Sequence, residues 1–214
     1  HHIQTNGSNF DLFDATAHAT RIRIDSSGRV MIGTTTAPNN ANTDDFTLAT
    51  GGATGFTIRS GTSHDGQIAF SDGTSGADEY RGQVLYNHAS NYMRFVTDAV
   101  ERLRIDSSGR LLIGHSSVTN ISAHTPRVQI QGTDFSTQTL SVVSNTADAN
   151  PAYLFLSKQR SGAAGGNTIG QNNDRIGEIR FNGNDGVDFA CETALIASEV
   201  DGAPGADDMP GRLV

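Results

Sequence analysis

Apolar and polar residues alternate along this chain in short runs, and the clearest run occurs twice. Arg21-Ile-Arg-Ile-Asp-Ser-Ser-Gly-Arg-Val-Met-Ile-Gly33 and Arg102-Leu-Arg-Ile-Asp-Ser-Ser-Gly-Arg-Leu-Leu-Ile-Gly114 lie 81 residues apart and differ only by exchanges of one apolar residue for another. A period of two puts Ile22, Ile24, Val30 and Ile32 on one face and Arg21, Arg23, Arg29 and Met31 on the other. Leu103, Ile105, Leu111 and Ile113 repeat the apolar face in the second copy. Each copy therefore predicts a β-hairpin. Asp25 and Gly28 supply its turn, as do Asp106 and Gly109. Asp bonds backbone two residues on, and Gly accepts the positive φ of a tight turn. A two-stranded hairpin is marginal alone in water, so its apolar face needs a cover. The expected cover is the same hairpin from other copies of the chain, which makes these eight apolar residues an interchain core.

The rest of the chain alternates in the same way. Phe46/Leu48, Phe56/Ile58, Ile68/Phe70, Val84/Tyr86 and Met93/Phe95 read as half-buried strands, punctuated by Gly51-Gly52, Asp65-Gly66 and Asp72-Gly73. Val128/Ile130, Leu140/Val142, Tyr153–Leu156 and Ile179/Phe181 continue the series. Residues 192–200 are compatible with a helix, but the flanking Asp-Gly turns favour a strand. No stretch keeps a 3.6-residue period, so the expected fold class is all-β. Near-identity at a fixed spacing also predicts repeat architecture. Residues 1–20 read as the end of a preceding unit, with Phe10–Phe13 the counterpart of Tyr92–Val96. Residues 21–101 form unit one, and 102–214 form a longer, truncated unit two. Gly66-Gln-Ile-Ala-Phe70 matches Gly177-Glu-Ile-Arg-Phe181, and Gly82-Gln-Val-Leu85 matches Gly211-Arg-Leu-Val214. By this alignment a third hairpin is expected beyond Val214, and the chain reads as a piece of a longer repeat protein. His1-His2 reads as a tag remnant or as part of that longer chain.

Composition sharpens the picture. Hydrophobic residues make up 36% of the 214, Trp is absent, and there are 24 Gly against 5 Pro. That is a thin core for one globule, and oligomerisation supplies burial that a single chain lacks. The plainer alternative is a single β-sandwich with long loops. A net charge of −8 without a basic cluster argues against nucleic-acid binding. No apolar run reaches the ~20 residues of a membrane span, so no membrane insertion is expected. The lone Cys191 rules out an intrachain disulfide and any multi-cysteine metal site; it reads as a small buried hydrophobe.

Catalytic signatures are missing: there is no nucleophile elbow, zinc-protease helix, P-loop or dinucleotide fingerprint. The histidines (His18, His64, His88, His115 and His124 beyond the first two) lack ligand spacing. Residues 182–188 suggest a calcium loop but miss its alternating ligands, and an Asx-rich turn is the simpler reading. A glycosidase-type acid pair drawn from Asp44, Asp45, Asp78, Glu79 or Asp207 depends on a separation that sequence does not give. The expectation is a non-enzyme with no cofactor and no metal.

The motif Glu101-Arg-Leu-Arg-Ile-Asp-Ser-Ser-Gly-Arg-Leu-Leu-Ile-Gly114 resembles a repeat of bacteriophage tail fibres and related virion appendages, of the type found in phages of marine bacteria and cyanobacteria. The likeness covers most of residues 19–120 and 176–214 and is specific in the hairpins. It implies an elongated homotrimeric fibre segment in the virion, in which three hairpin faces close an apolar prism and Arg21, Arg23 and Arg29 form a solvated outer face. The implied partners are the chain itself, other virion tail proteins and, through a distal region, a bacterial surface glycan or receptor. In that family a cleaved C-terminal chaperone often follows the repeats, and nothing in this chain matches it. A different class of function, a glycan-binding or glycan-depolymerising tailspike-like module, would need aromatics exposed on a concave face. A bacterial adhesin stalk would share the fibre physics.

Overall fold

A computed structural model of the chain describes residues 2–214; His1, of the pair read above as a tag remnant or part of a longer chain, lies outside the described residues. The chain divides into two compact bodies, His1–Arg59 and Ser60–Val214. This differs from a count made hairpin to hairpin, because strands ahead of the first hairpin hydrogen-bond to it.

The first body is one five-stranded sheet in chain order: β1 (His2–Asn6), β2 (Asn9–Asp14), β3 (Ala19–Ile24), β4 (Val30–Ile32) and β5 (Phe46–Leu48). β1 to β4 run antiparallel, and β3–β4 is the first repeat hairpin. β5 then pairs parallel to β4, after a crossover through residues 33–45. A parallel partner demands a long crossover, and this one spans about the dozen residues required.

The second body repeats that plan and extends it. β6 (Asp65–Phe70), β7 (Gly82–Asn87), β8 (Tyr92–Thr97), β9 (Val100–Ile105), β10 (Leu111–Ile113) and β11 (Val128–Ile130) form a six-stranded sheet, again in chain order. Its β7 to β11 reproduce β1 to β5, including the hairpin β9–β10 and a parallel last strand. A 3-10 turn over Gly76–Tyr80 links β6 to β7. β12 (Arg175–Gly183), β13 (Cys191–Val200) and β14 (Gly211–Leu213) make a third, antiparallel sheet. The two sequence matches take different pairings. β6 bonds directly to β7, whereas β13 lies between the matching β12 and β14.

The protein is therefore nearly all β, in three sheets. Residues 192–200 belong to a strand. The runs around Phe56/Ile58, Leu140/Val142 and Tyr153–Leu156, expected as strands, join no ladder among the described residues. Alternation sorts side chains between two faces but carries no information about a hydrogen-bonding neighbour.

Candidate functional site

The two turns are built identically. Asp25 accepts the backbone N–H of Gly28 on its carbonyl (2.9 Å) and donates its own N–H to Arg29 O (3.1 Å). Its carboxylate takes the N–H of Ser27 (2.9 Å) and of Arg29 (3.1 Å), and the Arg29 Nε–H at 2.7 Å. Asp106 does the same with Gly109, Ser108 and Arg110, the side-chain bond being 2.6 Å. Gly28 and Gly109 sit at φ +81° and +73°, the left-handed conformation that closes such a turn. The guanidinium of Arg29 holds the Asp25 carboxyl below the usual range. Burial pushes the Asp106 carboxyl up, but the bonds from Arg110 outweigh it and the group also ends below that range.

Register then sets the faces. In the first sheet, Thr5, Phe10, Ile24, Val30 and Phe46 stand directly opposite one another across all five strands, and so do Ile3, Leu12, Ile22, Ile32 and Leu48. In the second, Ile68, Val84, Phe95, Leu103, Ile113 and Ile130 form one six-strand row. Gly66, Tyr86, Met93, Ile105, Leu111 and Val128 form the next. All eight hairpin residues singled out from the sequence fall in these four rows. They are only half covered: Ile24 is 38% and Ile105 41% exposed, and the other six are intermediate. The third sheet follows suit, with Ile179, Phe181, Ile196 and Leu213 exposed.

The opposite, polar face is the one the chain buries. In the first sheet it carries Gln4, Asp11, Arg23, Met31 and Thr47 in register. Met31 is 1% exposed, and its equivalent Leu112 is 0%. The expectation of a solvated arginine face needs correction here. Arg23 grips the fully buried Asp11 with two bonds of 2.8 and 2.7 Å. Arg104 makes the equivalent bonds to Glu101 (2.7 and 2.8 Å) and lies 3.8 Å over the Tyr92 ring. Of Arg21, Arg23 and Arg29, Arg21 alone keeps more than half of its side chain in water. Charge pairing lets an arginine sit on a covered face, because the partner carboxylate and the planar fork replace lost hydration. In the second body the cover is the crossover 114–127: Gln129, buried on this face, bonds Thr119 N–H (3.0 Å) and Thr119 O (2.9 Å).

The remaining candidates disperse. Asp44 is engaged by Arg29 at 2.9 Å, and Asp78 by Arg81 at 2.7 Å. Asp185 spends one oxygen on the backbone N–H groups of Val187 and Asp188, which is Asx-turn geometry. Cys191 is exposed rather than buried, at the start of β13. Among the described residues, no group of three His, Cys, Asp or Glu is placed to hold a metal, and no helix is long and apolar enough to cross a membrane. The cleft between residues 121–126 and β12 is lined by Ile121, His124, Glu178 and Arg180 and by no Phe or Tyr. What the sequence pattern did not show is that Ile3 and Leu12 in one row and Phe10 in the other extend the hairpin face onto the first two strands. Register with Ile22 and Ile24 was the missing signal. No protein-family model matches this chain, and no curated protein does.

Proposed function

We propose that this chain is a structural segment of a homotrimeric viral fibre, in which the apolar faces of the repeated sheets pack around a common axis. One observation carries the reading: in both hairpin sheets the chain buries its polar face more deeply than its apolar face, which stays only half covered. A monomeric β-protein does the reverse, because apolar burial is the main favourable term in folding. Surface area agrees in size. Two separate compact bodies of these lengths would expose about 11,000 Å², whereas the chain exposes 15205 Å². The surplus, roughly 4,000 Å², is of the order that obligate assemblies bury. Symmetric closure would also cover sheet edges that otherwise invite open-ended pairing.

The threefold count, the virion setting and the support of host attachment come from the resemblance of the hairpin motif to phage tail-fibre repeats. On this reading the chain works mechanically and is not an enzyme, and receptor contact belongs to a distal region. The test is the absolute molar mass in solution by light scattering. Three times 22.6 kDa is the expected result. A folded species of 22.6 kDa would overturn the proposal, and glycan-array binding would then test the tailspike-like alternative.

A further inference from the structure

We infer that residues 55–59 and 140–143 are interchain strands, each completing a β-ladder with a second copy of this chain. The inference rests on the assembly reading above and adds a different surface to it, since neither segment belongs to the hairpin sheets. Residues 55–59 follow β5, and residues 140–143 follow β11, so they occupy the same place in successive repeats. Both run without a turn or bend, and none of their backbone N–H or C=O groups makes a hydrogen bond among the described residues. Phe56 and Ile58 alternate with polar residues, as do Leu140 and Val142, and all four are exposed, Leu140 to 76%. They have a strand's alternation and run without turns, but lack a ladder.

The missing ladder defines the occupant. A cover made of side chains alone would bury Phe56 or Leu140 and at the same time strip water from the adjacent backbone. Each orphaned amide or carbonyl would then lose its hydration with no hydrogen bond to replace it. Only another strand edge supplies apolar contact and backbone partners together. The surface also recurs from one repeat to the next, so its partner must recur at the same spacing, and the chain with that spacing is this one. Open edges are available on it: β6 and β11 bound the second sheet, and each has a neighbour on one side only. Residues 152–157 share the unpaired backbone but are set apart, because Leu156 packs on Gly177 in β12 of its own chain.

The experiment is amide hydrogen–deuterium exchange with mass-spectrometric readout, on the intact chain at a concentration where light scattering has fixed its mass. At the mass of three chains, peptides spanning 55–59 and 140–143 should exchange at least about 100-fold more slowly than an unstructured peptide, as ladder amides do. Peptide-like exchange at that mass would overturn the interchain strands and leave the assembly standing. A single-chain mass with fast exchange would overturn both. A single-chain mass with protected segments would place their partner within one chain and overturn the inference.

Discussion

At the scale of single residues, the repeat is held by backbone requirements that few side chains meet. Gly33 and Gly114 end the two hairpins at φ +77° and +79°. A Cβ on either would meet the carbonyl oxygen of Ala49 or Gln131, the residue just after the parallel strand. Both conditions select glycine, and both glycines donate to the opposite hairpin strand, at Arg21 O (2.9 Å) and Arg102 O (3.1 Å). Gly33→Ala and Gly114→Ala should therefore each cost about 1–3 kcal/mol. Thermal unfolding of each variant checks this, and a melting temperature equal to the wild type would contradict the geometry. The turn aspartates are a second case. Their motif was legible because Asp-Ser-Ser-Gly states its own local hydrogen bonds, and those bonds need no tertiary context.

At the scale of elements, the same alternation that predicted the hairpins left their orientation open. A period of two sorts Ile24 from Arg23, but it does not say which face the rest of the chain will cover. Here the crossover 114–127 settles over the polar face of the second sheet, where Gln129 and Arg104 find partners in it (Thr119 at 3.0 Å and Ser116 O at 3.4 Å). The apolar rows are left open. Ile24→Asp and Ile105→Asp consequently test assembly rather than the sheet, since both side chains are substantially exposed in the single chain. Each variant should keep its β-type circular dichroism while its solution mass falls below that of the wild type. An unchanged mass for both would remove the hairpin face from the interface. Exposed apolar residues of this kind also carry aggregation risk, which makes loss of solubility an accompanying expectation.

At the scale of the molecule, charge pairing is distributed over every sheet and sets an acid limit. Arg23 lowers the Asp11 carboxyl, Arg21 that of Asp14, Arg160 that of Asp174, Arg175 that of Glu178 and Arg212 that of Glu199. A carboxylate with a depressed folded-state pKa stabilises the fold above its unfolded value. It loses that contribution as pH falls through the folded value. The melting temperature should accordingly decline from about pH 4 downward, where unfolded carboxylates begin to take up protons. Most of these pairs are half in water, so salt screening will make each contribution small. Thermal scans between pH 5 and pH 2 read the effect, and a flat profile would refute it. Asp174 is one hub of this pairing, receiving Lys158, Arg160 and the Gln171 amide (3.0, 2.6 and 2.9 Å).

What the sequence determined by itself is what short-range chemistry dictates. The all-β class follows from alternation without a helical period, the hairpins from their turn residues, and the repeat from near-identity at a fixed spacing. Only the tertiary structure decided the rest. Long-range register aligned Ile3, Leu12, Ile22, Ile32 and Leu48 into one row across five strands. Met31 and Leu112 are buried beside paired arginines on the nominally polar face. Residues 55–59 and 140–143 were left without a ladder among the described residues. Alternation records how a strand divides its side chains between two faces. Which face meets its own chain depends on where distant segments return, and no local pattern encodes that.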